Sequence, residues 1–364
     1  ACVSAALGRL EGLRPAEAGE FTRRAFESGR LDLTAVEGLA DLVAAETQAQ
    51  RRQALQQLKG LLGERAETWR QRLVEALALV EAGIDFSDED DVPTDTMARA
   101  LEVILPLADE IQAACGGQGE RLREGLRVAI AGPPNAGKST LFNRLARREA
   151  AIVSPFPGTT RDVLEVHLDL GGYPVTVLDT AGIRDTDDPV EREGVRRANE
   201  QAAGADLVLW VLDATAELSQ ATLADMVAAW AQSGTASWIV VNKIDLIAGD
   251  AMTNVESGFE AELTVHSLSS KTATGVDDLV HALSRFAEHY FTAEPALVTR
   301  ARQRAHLTET VVALRGAQQA ALDGRDEIVA EQLRLGTRAL GKLLGRVDVE
   351  DVLDVIFRDF CIGK

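Results

Sequence analysis

Cysteine, histidine and aromatic side chains are all scarce in this sequence. Its three cysteines, Cys2, Cys115 and Cys361, stand alone, without the paired spacing of a zinc site or a disulfide framework. A reducing cytoplasm is the expected setting. The five histidines, His167, His266, His281, His289 and His306, have no metal-ligand spacing and read as structural or exposed groups. No apolar run approaches the roughly 20 residues that cross a bilayer, and no basic, apolar, small-residue pattern marks a signal peptide. Membrane residence is not expected. Positive charge is also short: 38 Lys and Arg face 57 Asp and Glu, a net charge of −19. That balance opposes nucleic-acid binding through the whole surface, so a local basic patch or a basic partner must supply any such attraction.

What is abundant is alanine and leucine, which leans the chain toward helix, and its 364 residues suffice for two or three domains. It begins at Ala1 rather than Met, inside an apparent strand-to-helix region, and so reads as a fragment. Residues 1–120 read as mostly helix. Leu31, Leu33, Val36, Leu39, Ala40, Leu42 and Val43 recur near helical spacing, and Thr34 with Glu37 fits a capping box at their start. Leu55, Leu58, Leu61 and Leu62 continue the pattern, followed by Leu73, Leu77 and Val80. The acidic stretch Asp85 to Pro93 lacks the glycine and terminal Glu of a calcium loop and reads as a solvated turn. Helix resumes from Thr96 to Ala114, and Cys115 to Gly119 reads as a flexible boundary.

Residues 121–290 change texture. Strand patterns at Arg127–Ala131, Val163–Leu170, Val175–Asp179, Leu207–Leu212, Ile239–Asn242 and Leu263–His266 alternate with amphipathic helices, the signature of a doubly wound α/β domain. Residues 291–364 return to helix. Leu307, Val311, Val312 and Leu314 form one face, and Ile328, Leu333, Leu340, Leu343 and Leu344 suggest another helix. The apolar tail Val352, Leu353, Val355, Ile356, Phe357 and Phe360 is expected to dock on a core. The economical architecture is an α/β P-loop domain inserted into an all-α helical domain built from both chain ends.

The chemistry concentrates at strand ends. Gly132-Pro133-Pro134-Asn135-Ala136-Gly137-Lys138-Ser139 follows the first strand and opens into a helix at Thr140, the context a phosphate-binding loop requires. Glycines let the backbone N–H groups face a polyphosphate, Lys138 reaches the β- and γ-phosphates, and the Ser139 hydroxyl ligates Mg²⁺. Asp179-Thr180-Ala181-Gly182 ends another strand, where Asp179 holds Mg²⁺ through water and Gly182 offers an N–H to the γ-phosphate. Asn242-Lys243-Ile244-Asp245 ends a third. The Asp245 carboxylate accepts both N1–H and the exocyclic amine of guanine, a donor pair adenine lacks, which selects GTP. Ser269-Ser270-Lys271 places a backbone N–H on guanine O6. In Gly158-Thr159-Thr160-Arg161-Asp162 either threonine closes over the γ-phosphate, with Thr160 the second hydroxyl on Mg²⁺. A kinase or ATPase would leave Asp245 without a purpose.

Many GTPases position the attacking water with a Gln just after Asp-x-x-Gly. Here that place is Ile183, and the candidates to replace it are Arg184, Asp185, Asp187, Asp188, Glu191 and Glu193. The ending Cys361-Ile362-Gly363-Lys364 superficially resembles a prenylation box, but Gly363 is not aliphatic and Lys364 is not a usual last residue for one.

With these residues in view, the chain resembles the MnmE (TrmE) family of tRNA-modification GTPases over nearly its whole length. The resemblance rests on Ala18 to Phe26 with Gly29 to Leu33, on Gly132 to Thr140, on Gly158 to Asp162, on Asp179 to Arg184, and on the ending Phe360 to Lys364. By that resemblance, the sequence as given is expected to lack most of the family's N-terminal folate-binding, dimerising domain. The resemblance implies K⁺-stimulated GTP hydrolysis by two G domains juxtaposed in a homodimer. Asn135 would ligate K⁺ through its side chain, and Ser154, Phe156 and Thr159 through the backbone of the loop Ser154-Pro155-Phe156-Pro157-Gly158-Thr159-Thr160, which also shields the nucleotide. Glu191 matches the family glutamate that orients water, so Glu191, Lys138 and Thr159 are the expected catalytic residues. Arg30 and Lys364 match positions that contact folate, as 5,10-methylenetetrahydrofolate or 5-formyltetrahydrofolate. The implied reaction forms an aminomethyl or carboxymethylaminomethyl group at C5 of the tRNA wobble uridine, together with the FAD protein MnmG. The alternative from another class is a GTP-dependent ribosome-assembly switch without modification chemistry. A basic RNA-binding domain after the α/β domain would favour it, whereas here helix and an apolar tail follow.

Overall fold

The computed structural model describes residues 9–85, 95–148, 150–152, 164–179, 204–216, 234–247, 264–291 and 296–347. The chain divides into two compact units. One is Ala1–Ala45 with Gln50–Glu120 and Ala293–Lys364, and the other is Glu46–Ala49 with Arg121–Thr292. Cys2, most of the acidic stretch ending at Pro93, and the apolar tail from Val352 to Lys364 lie outside the described residues.

The first half of the chain supplies α1 (Glu20–Glu27), α2 (Leu33–Ala44), α3 (Gln48–Leu58), α4 (Leu61–Asp85) and α5 (Thr96–Cys115). The start of α2 corrects the capping-box reading. The N-cap is Asp32, whose carboxylate accepts the Ala35 N–H at 2.8 Å. Thr34 is fully buried and its hydroxyl donates to the same carboxylate at 2.7 Å. Fully buried Leu33 sets the register so that Asp32, not Thr34, meets the unpaired N–H groups and the positive end of the helix dipole. Glu37 is not a capping partner either; its carboxylate pairs with Arg302. Gly60, at φ 93°, breaks α3 from α4. Pro106 sits inside α5 on its exposed side, where it has no N–H to donate to the Glu102 carbonyl.

The α/β unit follows α6 (Gly119–Glu124) and comprises β1 (Leu126–Ala131), α7 (Lys138–Ala146), β2 (Leu164–Leu170), β3 (Tyr173–Asp179), β4 (Leu207–Asp213), β5 (Ala236–Asn242), β6 (Thr264–Ser267) and α8 (Val276–Tyr290). The six strands form one sheet in the order β2-β3-β1-β4-β5-β6. Only β2 is antiparallel, paired with β3 from Leu164 opposite Asp179 to Leu170 opposite Tyr173. The period of two along each strand sorts side chains onto the two faces. In β4, Leu207, Leu209 and Val211 join the core of Val128, Leu141 and Leu283, whereas Val208, Trp210 and Leu212 pack with Ile239 and Val241 on the other face. Burial on both faces explains why β4 reads as an unbroken apolar run.

The last described helices are α9 (Ala301–Leu322) and α10 (Asp326–Leu344). They share one core with α4 and α5, centred on Trp69, Leu73, Ile104, Leu107, Leu314 and Leu333. Leu307, Val311 and Leu314 face it as their spacing requires, but Val312 is 66% exposed and Ile328 40% exposed. Each lies about 100° around its helix from a buried neighbour, Val311 and Val329. Leu55 and Leu61 are likewise outside the core, each exposed. The two chain ends are also joined by charge. The Arg302 guanidinium grips the buried Glu37 carboxylate at 2.8 and 3.0 Å, and Gln303 donates to it at 2.8 Å. The same guanidinium donates to the Lys342 and Leu343 carbonyls, both at 3.2 Å, satisfying the C-terminal end of α10.

Removing one partner of a buried, hydrogen-bonded ion pair leaves the other uncompensated. Glu37→Ala is therefore expected to cost about 3 kcal/mol of unfolding free energy, against about 1 kcal/mol for loss of the cap in Asp32→Ala. Denaturant unfolding of the two variants checks the order.

Candidate functional site

Strands β1, β3, β4, β5 and β6 are mutually parallel, so the loops after Ala131, Asp179, Asp213, Asn242 and Ser267 leave the same edge of the sheet. The strand order reverses at β1, with β3 on one side and β4 on the other. A crevice at the carboxyl end of β1 follows from that reversal, and the Gly132–Ser139 loop begins there.

Two glycines in the loop are dictated by close approach. A Cβ on Gly132 (φ 137°) would lie 2.2 Å from the Val211 carbonyl oxygen, and one on Gly137 (φ 94°) 2.2 Å from Asn242 Nδ2. Asn135 adopts the left-handed conformation at φ 61° and is exposed; its short polar side chain makes it one of the few residues that tolerate this. Gly137 is the N-cap of α7 and Lys138 its first residue. The first-turn N–H groups of a helix have no intrahelical partner, and they carry partial positive charge. Exposed Ser139 and Thr140 stand in that turn. Lys138 folds over its own loop, with Nζ donating to the Gly132 and Pro133 carbonyls at 2.9 Å each.

The second half of the site is built on β5 and β6. Buried Asn242 donates from Nδ2 to the Ala136 carbonyl at 2.8 Å, and its Oδ1 accepts the Ser270 N–H at 2.9 Å and the Ser270 hydroxyl at 3.0 Å. One side chain thus ties the phosphate-type loop to the Ser269–Lys271 loop. Lys243, left-handed at φ 67°, donates from Nζ to Asp213 Oδ2 at 2.6 Å. Burial works against the Asp213 charge, but hydrogen bonds from Lys243 and Thr215 outweigh it and hold the carboxyl below the usual carboxylate range. Exposed Asp245 accepts the Ser269 hydroxyl at 2.6 Å through Oδ1. Arg144 on α7 donates to the Ser270 carbonyl at 3.1 Å and the Lys271 carbonyl at 2.7 Å.

Direct bonds therefore join the Asn135–Thr140 segment at Ala136 to Asn242, Asn242 to Ser270, and Asp245 to Ser269, whereas Lys243 is bonded to Asp213. Asp179 is buried at the end of β3, paired in register with Ile130 two residues before Gly132. Ser154 to Thr160, Thr180 to Gly182, Ile183, Arg184, Asp185, Asp187, Asp188, Glu191 and Glu193 lie outside the described residues, as does Lys364. Arg30 is exposed in the helical unit. Among the described residues no group of three or more His, Cys, Asp or Glu side chains is poised for a metal. The oxygen donors Ser139 and Asp179 nevertheless fit Mg²⁺, which takes one or two protein oxygens and fills its shell with phosphates and water. Also among the described residues, no helix is long and apolar enough to cross a membrane. Sequence reasoning missed Arg144 and Asp213. Asp213 had a signal, an acid closing the apolar run of β4; Arg144 had none, because it acts on main-chain carbonyls.

An alanine at position 137 faces both a left-handed backbone and the Asn242 amide. Gly137→Ala is expected to lower the unfolding free energy by at least about 1–2 kcal/mol, measured by denaturant titration. The Asp213 carboxyl, depressed in the folded chain, contributes stability above the unfolded value near pH ~4 and loses it as pH falls through the lower folded value. The stability gap between the wild-type chain and Asp213→Asn should therefore be complete at neutral pH and close under acid, as followed by urea midpoints across pH.

The family model for the MnmE helical domain matches residues 33–361. The tRNA modification GTPase MnmE of Bradyrhizobium sp. (strain BTAi1) is 56% identical over 362 residues, covering 98% of this chain and 78% of that protein. The tRNA modification GTPase MnmE of Rhodopseudomonas palustris (strain CGA009) is 56% identical over 361 residues, with the same coverage of 98% and 78%. Among solved structures, the G domain of T. maritima FeoB is 23% identical with a TM-score of 0.31, covering 44% of this chain and 98% of that one. The chain belongs to the MnmE family of tRNA modification GTPases.

Proposed function

We propose that this chain is a K⁺-stimulated GTP hydrolase that acts in the cytoplasm as a homodimer with an MnmG-like FAD protein. The pair would modify C5 of the tRNA wobble uridine with an aminomethyl or carboxymethylaminomethyl group. The observation that carries the nucleotide reading is the Asn242 bridge, which holds a phosphate-type loop and a base-type loop at one fixed spacing. Asp245 stands at the base end with only one carboxylate oxygen engaged by Ser269. That leaves acceptor capacity for the N1–H and exocyclic amine that distinguish guanine from adenine.

At the phosphate end, Lys138 exchanges two neutral carbonyl partners for phosphate oxygens, a charge-assisted bond stronger than either. The first-turn N–H groups of α7 take the remaining oxygens. Ser139, Thr160 and Asp179 would hold Mg²⁺, which supplies charge neutralisation between the β- and γ-phosphates. Asn135, projecting from a left-handed position at the mouth of the loop, would ligate K⁺ with Ser154, Phe156 and Thr159; the ion supplies positive charge to the transferring phosphoryl group. Glu191 would orient the attacking water that Ile183 cannot, with Thr159 closing over the γ-phosphate. Arg30 and Lys364 would meet a reduced folate, methylene- or formyl-substituted. The acidic net charge supports a division of labour in which the partner protein holds most of the tRNA.

GTP hydrolysis by the full chain should be at least about a hundredfold faster in K⁺ than in Na⁺ at equal ionic strength. Glu191→Ala should lose activity by a comparable factor while GTP binding persists. Equal rates in the two salts would remove K⁺ from the mechanism, and an unchanged rate in the variant would remove Glu191.

A further inference from the structure

The loop from Ser269 to Ala273 consumes its own main-chain donors almost completely. The Ser269 N–H goes to the Thr274 carbonyl at 2.9 Å and that of Ala273 to the Ser269 carbonyl at 2.9 Å. The Ser270 N–H is taken by Asn242 Oδ1 at 2.9 Å, and that of Thr272 by the Ser269 hydroxyl at 3.1 Å. Among the described residues, the N–H of exposed Lys271 is the donor of this stretch left for a ligand.

The direction of that donor is set from outside the loop. No cis peptide bond occurs among the described residues, and in a trans peptide the carbonyl and the following N–H point opposite ways. The Ser270 carbonyl is drawn to the Arg144 guanidinium at 3.1 Å. The Lys271 N–H of the same peptide therefore points away from α7's side chain. The Lys271 carbonyl is held by the second arm of the guanidinium at 2.7 Å, so the residue is clamped at both of its peptides. Arg144 is half-buried and lies six residues along α7 from Lys138, on the helix whose first turn forms the phosphate end. A planar, rigid fork reaches two carbonyls at once, which a single ammonium cannot do.

We propose that Arg144 is a positioning residue for guanine recognition, turning the Ser270–Lys271 peptide so that the Lys271 N–H donates to O6 of the base. The proposal rests on the guanine-nucleotide reading of the site and adds its specificity-setting residue. Arg144 touches no part of the nucleotide. It transmits the placement of the phosphate-loop helix to the base loop, across 126 positions of sequence.

The test is equilibrium binding of GDP, 6-thio-GDP, ADP and inorganic tripolyphosphate to the full chain, its Arg144→Ala variant and its Arg144→Lys variant. The thione sulfur of 6-thio-GDP is a weaker acceptor than O6, so the ratio of GDP to 6-thio-GDP affinity reads the N–H contact itself. Arg144→Ala should bind GDP about tenfold more weakly, with the GDP to 6-thio-GDP ratio collapsing toward one and tripolyphosphate affinity unchanged. Arg144→Lys, with one point donor, should fall between, and it carries the test if the alanine variant fails to fold by circular dichroism. An unchanged ratio in both variants overturns the proposal. So does a parallel loss of tripolyphosphate affinity, which would make Arg144 a support of the phosphate loop instead. A wild-type chain that binds GDP no better than ADP overturns the guanine reading beneath, and the role of Arg144 with it.

Discussion

The Asn242 side-chain amide is both donor and acceptor, and the α/β unit uses both functions at once. Nδ2 is committed to the Ala136 carbonyl and Oδ1 to the N–H and hydroxyl of Ser270, all beneath the surface where an unmade bond is costly. The amide is rigid, so the separation of the two loops is fixed by the length of one side chain at the end of β5. Gly137 is a glycine because this amide occupies the space a Cβ would need. Arg144 braces the same pair of segments from α7. Loops held at one fixed separation are the condition under which binding loses least to ordering.

The helical unit solves a different problem. Its first helices and its last are separated by more than 170 residues of sequence, yet Trp69, Leu73, Ile104, Leu314 and Leu333 share one core. Non-directional burial would allow those helices to slide. The Glu37–Arg302 pair, with Gln303 on the same carboxylate, adds contacts that only one register satisfies. Arg302 also closes the carboxyl end of α10, so a single guanidinium serves the ion pair and the helix terminus together.

Much of this was legible from pattern. All six strands overlap the runs read from the sequence, most plainly β4, whose burial on both faces leaves an unbroken apolar signal. Their ends were less legible. Strand β5 begins at Ala236, three residues before Ile239, because Ala236 to Trp238 pair with β4 through main-chain bonds that need no apolar side chain. Strand β3 likewise gains Tyr173 and Pro174 from its hairpin with β2. The capping of α2 was misread for a long-range reason. Glu37 has the residue type and offset of a capping box, but its partner Arg302 is 265 positions away. The Gly132–Ser139, Asn242–Asp245 and Ser269–Lys271 loops stood out as motifs, each at the end of a strand. Arg144 did not, because a side chain that acts on main-chain carbonyls leaves no signature in the identity of its partners, and Asp213 showed only as the acid that closes β4.

Asn242 unites the Gly132–Ser139 and Ser269–Lys271 loops into one structural element. Amide hydrogen exchange of the full chain, wild type against Asn242→Ala, tests it most directly. Protection is expected to fall in Asn135–Lys138 and in Ser269–Ala273 together, with the strands β1 and β4 unchanged. Loss of protection confined to Ser269–Ala273, with Asn135–Lys138 exchanging as in the wild type, would overturn the role of Asn242.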